Sequence, residues 1–358
     1  LGGGPAGLSA GIAARQKGRT ALVISNPSAF NPLCKAEQIN NYLGLPSMSG
    51  AEMVETFEAH ARQMGVDFVT GKALSAMSFG GEIYLTVGSD ICQGKKLILA
   101  KNEKGITHLH GGTAGFNTKL WDVTPMEGIC EDHLILKITS PDGEEGYPGT
   151  LKVMVTYTWT DDCELVIRYE AVSDQDTLCN LTNHTYFNLG GHAHGTVRDH
   201  EVLIEADVIT PVDDELIPLG SYLPVAGTPL DFSDGLVIGD GLDAMDTCSQ
   251  MAPAHGYDHN FVLRKGENMG LAAWVYHKES GRLMEVFTDQ PAIQLYTACT
   301  ANYDGGKDGA HYGPYSGLCL ETQHCPDSPN NPQFPGTTVL RPGEKYDTTT
   351  IYAFRVDG

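Results

Sequence analysis

The stretch LKVMVTYTWT, residues 151–160, alternates with period two and sets Leu151, Val153, Val155, Tyr157 and Trp159 on one face. Asp161-Asp162 follows, and ELVIRYEAV returns the chain, so the pair predicts a hairpin. Further alternating runs occur at HLILKITS, HEVLIEADVI, RLMEVFTD and AIQLYTA. Gly, Pro, Asn and Asp punctuate them, and long amphipathic helices are absent after Lys101. Many short strands separated by turn signals predict a mainly β fold, a sandwich or barrel. Upstream the pattern is different. TALVIS and VDFVTG are short apolar runs of strand length, and AEMVETFEAHARQMG between them has the helical period. That order predicts an α/β segment with parallel strands. No internal repeat of fixed period is present.

Charge and aromatic content sharpen the division. The net charge is −22, yet residues 1–100 carry +1 and residues 101–358 carry −23. Trp121, Trp159 and Trp274 all lie in the second part. The composition therefore sets a boundary near Ala100, with an α/β segment over 1–100 and a β domain over 101–358. The junction, where LILA meets KNEKG, reads as a fusion. A strongly acidic chain excludes nucleic acid and anionic membrane as expected partners. No apolar run reaches the roughly 18 residues that span a bilayer. The apolar, Gly-rich start lacks the basic front of a signal peptide. Nine cysteines without any C-x-x-C fit reduced thiols, mostly buried, and a cytoplasmic location.

Gly2, Gly4 and Gly7 form G-x-G-x-x-G ahead of a small-residue helix, a pattern that lets a backbone turn approach a pyrophosphate. With INNYLGLP and GKKLILA, this segment resembles the N-terminal FAD-binding part of thioredoxin reductase-like flavoproteins. The sequence holds no strand before Gly2. Ser25 ends TALVIS where such folds usually place a ribose-binding acid. The redox C-x-x-C and the nicotinamide domain of those proteins have no counterpart. The glycine motif is thus expected to be vestigial, and no cofactor is expected.

Five polar motifs interrupt the strands of the second part: HLHGGTAGFNTKLWD, LTNHTYFNLGG, GYDHNFVL, QPAIQLYTA and GLCLETQHCPDSPNNPQFP. Their order and separations resemble the aldose 1-epimerases (galactose mutarotases). The resemblance implies a galactose mutarotase-like β-sandwich that acts on a free aldohexose. Interconverting anomers needs a base to take the C1 hydroxyl proton and an acid to protonate the ring oxygen, the roles reversing on closure. No metal or organic cofactor is needed. The resemblance makes Glu321 the base, at the end of an apolar strand where partial desolvation would raise its pKa. It makes His184 the acid, suited by its ordinary pKa near 6.5. It makes His110 a second ring-side donor, with Gly111 and Gly112 leaving room for a ligand at the backbone. Asp258, Gln294 and Asn188 are the expected substrate-binding residues. Trp121, Tyr186 and Phe187 are expected to pack in the core rather than against a sugar.

Two His-x-His pairs, His108 with His110 and His192 with His194, raise the question of a metal. No Cys or carboxylate stands at a fitting spacing in sequence, so no metal is expected. The family resemblance also implies an Asn-Arg pair upstream of the LHGG motif whose arginine reaches the substrate. Arg15, Arg19 and Arg62 are the arginines in that part, and none follows an Asn. The β domain is therefore expected to lack the family's N-terminal strands. Three competing readings follow. The chain could bind carbohydrate without turning it over. It could be a flavin-dependent oxidoreductase. It could act on a phosphorylated hexose, though that requires an arginine cluster that residues 101–358 do not supply.

Overall fold

The computed structural model describes residues 5–16, 21–25, 48–70, 73–79, 82–87, 90–94, 107–127 and 131–356, with a few isolated positions between them. The front segment runs α1 (Pro5–Gln16), β1 (Leu22–Ser25), α2 (Gly50–Gln63), β2 (Asp67–Thr70), β3 (Ala73–Phe79), β4 (Glu82–Val87) and β5 (Asp90–Gly94). Strands β1 and β2 pair in parallel across α2, as the alternation of helical and strand patterns predicts. Ser49 caps α2 in a reciprocal arrangement, its hydroxyl accepting from the Glu52 N–H while the Glu52 carboxylate accepts from the Ser49 N–H. Leu8, Val23, Ala61 and Val66 form a small core of their own. Strands β3, β4 and β5 make a three-stranded antiparallel sheet. Gly2 and Gly4 lie outside the described residues, as do INNYLGLP and the proposed junction near Ala100. Gly7 falls within α1.

The remaining strands are β6 (Asp122–Glu127), β7 (Glu131–Ser140), β8 (Leu151–Thr160), β9 (Glu164–Ser173), β10 (Thr177–Leu178), β11 (His200–Ile204), β12 (Ala206–Ile209), β13 (Leu223–Pro224) and β14 (Leu236–Val237). After the short helix α3 (Ile238–Asp243) come β15 (Asp258–Leu263), β16 (Gly270–His277), β17 (Arg282–Thr288), β18 (Ala292–Tyr296), β19 (Cys319–Gln323), β20 (Val339–Leu340) and β21 (Tyr346–Val356). They build a nine-stranded sheet in the order β14-β11-β16-β17-β21-β9-β8-β7-β6 and a five-stranded sheet in the order β13-β12-β15-β18-β19. The pairings within both are antiparallel.

The main core takes Val153, Ile167, Val275, Met284 and Tyr352 from the large sheet and Phe261, Ile293, Leu295 and Leu320 from the small one. Period-two alternation explains this: each strand sends every second side chain inward. The hairpin of β8 and β9 forms as its sequence predicts, with Leu151, Val153 and Val155 buried. The shared face fades toward the turn, where Trp159 is 46% exposed beside Phe354. Cys163 closes that turn with φ 59°.

Candidate functional site

The small sheet has one apolar face and one polar face. Phe261, Ile293, Leu295 and Leu320 point into the core. The alternate positions Asp258, Asn260, Gln294, Tyr296, Cys319, Glu321 and Gln323 share the other face. The register makes them neighbours, with Asp258 opposite Tyr296, Gln294 between Asn260 and Glu321, and Tyr296 beside Cys319. The Gln294 amide donates to Asp258 Oδ1 at 2.7 Å, which fixes both side chains. Gln294 Oε1 is buried and has no partner among the described residues. A buried amide oxygen in this state is costly, so it favours a ligand able to donate a hydrogen bond.

His184 reaches this face from the extended segment 181–188. Phe187 exchanges two backbone hydrogen bonds with Leu318, at 2.7 and 2.9 Å. Continuing that antiparallel register by three residues sets His184 across from Glu321. Their closest approach is 3.5 Å, His184 Nε2 to Glu321 Oε1, and His184 Nδ1 lies 3.3 Å from Cys319 Sγ. Asn183 holds the segment from below, donating to the hydroxyl of the buried Tyr352, which donates in turn to the Leu320 carbonyl. His110 arrives from the loop after Leu109, and its ring meets that of His184 edge-on at 5.6 Å. Asn102 grips that loop through both the N–H and the carbonyl of Leu109. Tyr186 and Tyr296 complete an aromatic wall at 5.0 and 5.9 Å from the His184 ring.

The electrostatics separate the acids from ordinary surface groups. Glu321 is 7% exposed. Burial, followed by the neighbouring Asp258 charge, pushes its pKa up to about 8. Burial also raises the Asp258 carboxyl, against the Gln294 hydrogen bond and the nearby His259, His184 and His110. For His110, burial and then the neighbouring His184 favour the neutral ring. The site thus holds proton-exchanging groups around one small volume, the requirement for general acid–base chemistry.

A protein-family comparison decides what this arrangement belongs to. The model of the family described as aldose 1-epimerase matches residues 88–353.

The chain belongs to the aldose 1-epimerase family.

The family match begins ahead of the composition change near Ala100. A galactose mutarotase from Mus musculus is 41% identical over 344 residues, which cover 86% of this chain and 96% of the relative. One from Homo sapiens is 47% identical over 267 residues, covering 74% of this chain and 73% of the relative. Among solved structures, a galactose 1-epimerase from Lactobacillus acidophilus superposes with a TM-score of 0.63 at 30% identity, covering 80% of this chain and 79% of that one.

Within this aldose 1-epimerase fold, the structure gathers His184, Glu321, His110, Asp258 and Gln294, and it sets Asn188 apart. The Asn188 amide donates to the backbone carbonyls of Ser316 and Gly195, and its oxygen accepts from Gly190 N–H. Those contacts engage the Asn188 side chain, expected as a sugar ligand, with the backbone of its own loop and of Ser316. The space beside Gly112 is also taken. A Cβ there would stand 2.2 Å from the Glu145 carboxylate, which accepts from the N–H groups of Thr113 and Ala114. The glycine makes room for Glu145 rather than for a ligand. Tyr186 was expected in the core and is instead 56% exposed against His184, whereas Trp121 and Phe187 do pack against the core. Cys319 and Tyr296 were not singled out from sequence, yet period two from Glu321 and from Gln294 carries the chain to them. The described cysteines are free thiols, with Cys179, Cys299, Cys319 and Cys325 buried. Among the described residues, no helix is long and apolar enough to cross a membrane.

Proposed function

We propose that this protein interconverts the α and β anomers of a free aldohexose of the galactose or glucose class, with Glu321 as base and His184 as acid. The observation that carries the reading is the 3.5 Å approach of His184 to Glu321 on a face that also presents Asp258 and Gln294. The two oxygens that exchange protons in mutarotation share one carbon, so acid and base must converge on one point. Ionised Glu321 takes the C1 hydroxyl proton as His184 delivers one to the ring oxygen. The C1–ring oxygen bond breaks, C1 becomes a carbonyl, and rotation about the C1–C2 bond presents its other face. The ring oxygen then attacks, His184 recovers its proton, and Glu321 returns its own to the C1 oxygen. Protons and electrons balance within the two residues and the sugar.

Asp258 accepts from sugar hydroxyls, and Gln294 Oε1 accepts one more. His110, held neutral by burial, donates on the ring side. Tyr186 offers an exposed ring face to the sugar's C–H surface. The β domain, over about residues 101–358, carries all of these groups, and the segment before it contributes none of them. The test is polarimetry of freshly dissolved α-galactose. Rapid relaxation to the anomeric equilibrium, lost in Glu321→Gln, supports the assignment. Sugar binding by the wild type without any acceleration would instead make the protein a carbohydrate-binding module.

A further inference from the structure

A second cluster of imidazoles lies outside the sugar site, and sequence spacing alone conceals it. His194 Nε2 stands 3.1 Å from Asp199 Oδ2, and His277 Nε2 stands 3.2 Å from the same oxygen. All three atoms lie within 4.8 Å of one another. Three places supply them: the loop 190–195, the turn residue just before β11 and the end of β16. We propose that His194, His277 and Asp199 form a site for a borderline divalent transition metal, of which Zn2+ is the natural probe.

Three observations support a built site. The first is spacing. A tetrahedral ion with bonds of about 2.0–2.1 Å separates its ligand atoms by about 3.3 Å. The two histidine nitrogens already stand at almost that distance from the carboxylate oxygen, so the ion enters with only small ring movements.

The second is outer support. His200 is fully buried and donates from Nδ1 to Asp199 Oδ1 at 2.8 Å. Its Nε2 accepts from the Leu189 N–H at 2.9 Å, which fixes the neutral tautomer. His277 Nδ1 lies 2.8 Å from Ser280 Oγ and accepts from the Ser280 N–H at 3.3 Å, contacts that fix the orientation of its ring. The His200 and His277 rings stack at 4.7 Å. Outer partners of this kind orient metal ligands and set their tautomers.

The third is the backbone under His194. A Cβ at Gly190 would stand 2.4 Å from His194 Cγ, so the glycine is what lets the imidazole lie there. Gly191 and Gly195 turn the loop with φ of 120° and 108°. Arg282 secures it by donating to the Leu189 carbonyl at 2.7 Å.

Two imidazoles and one carboxylate select Zn2+, Co2+ or Ni2+ over Mg2+ or Ca2+, which prefer oxygen ligands. Asp199 and His194 reach the surface, so water completes the coordination. The loop is continuous with the segment bearing His184, and Asn188 anchors the two together through Ser316 and Gly195. A metal here would fasten that loop to the large sheet.

The test uses the full-length protein after chelator treatment, titrated with Zn2+ by calorimetry and with Co2+ for the visible bands of tetrahedral coordination. The expected result is one equivalent bound, with a raised Tm. His194→Ala removes an exposed ligand and should weaken Zn2+ binding at least about tenfold. His277→Gln is expected to do the same, and circular dichroism checks that it folds. His184, Cys319 and Glu321 also place three ligand atoms within reach of one ion, so Glu321→Gln is the control. It should leave the equivalent in place. Absence of saturable binding in the wild type would overturn the proposal. So would an equivalent that survives His194→Ala, or one that disappears in Glu321→Gln.

Discussion

Glu321 is where the local physics and the proposed chemistry meet most directly. Its folded pKa of about 8 lies above the ordinary 4.5. The fold therefore favours the protonated carboxyl. That stabilisation is fully present below pH 4.5 and is lost as pH rises through about 8. Glu321→Gln removes the buried charge, so it should raise Tm more at pH 9 than at pH 5, relative to wild type. Equal shifts at the two pH values would show that Glu321 ionises as a solvated carboxylate. The same variant should lose at least about a hundredfold in mutarotation rate, the low end for a positioned base, and His184→Asn should lose as much. The wild-type rate should rise with pH through a limb well above 4.5, because the base acts ionised. A flat profile from pH 5 to pH 8 would take Glu321 out of that role.

Among the elements, the pairing of segment 181–188 with β19 matters most to the site. Two hydrogen bonds at Phe187 and Leu318 fix its register, and the register brings His184 to Glu321. A slip of one residue would turn His184 to the other face. Tyr352 locks the arrangement from inside, accepting from Asn183 at 3.0 Å and donating to Leu320 at 2.8 Å. Tyr352→Phe leaves both partners short of a hydrogen bond in a buried setting. It should cost about 1–3 kcal/mol of stability. Mutarotation should fall more through kcat than through KM, since Asp258 and Gln294 stay on β15 and β18. Thermal melts and steady-state polarimetry would detect both effects. Unchanged values would make the Asn183–Tyr352 contact incidental.

For the whole molecule, the described edges carry the consequences. Strand β6 ends the large sheet among the described residues. Leu120 is 98% exposed and Val123 54% exposed beside it. An apolar sheet edge invites pairing with another chain, and a charge on it opposes that. Val123→Lys should reduce concentration-dependent association in light scattering without changing the mutarotation rate. If association is unaltered, β6 is not the adhesive edge. The front segment yields a different expectation. Ser25 ends β1 at the position where a ribose-binding acid is usual, so purified protein should carry no stoichiometric flavin. A flavin absorbance of one equivalent would contradict this. Of the arginines of that segment, Arg62 has a local partner, its guanidinium lying 4.0 Å above the Phe68 ring.

Sequence alone determined many of the strands and the family to which the chain belongs. Period-two alternation survives folding because neighbouring side chains on a strand must face opposite ways, so β8, β9, β17 and β18 were legible from hydropathy. The motifs singled out His184, Glu321, Asp258, Gln294 and His110, and folding brings all five side chains near one another. Partner choice across the fold was not legible. Asn188 sits in the same motif as His184, and only the approach of Ser316 and Gly195 shows its amide engaged with backbone. Tyr186 reads as a core aromatic until the register sets it over His184. Asp199 and His277 stand 78 residues apart, and no spacing rule joins them. The tertiary structure decides such cases because strand pairing brings remote residues within bonding distance, and hydrogen bonds and metal coordination act only at that range.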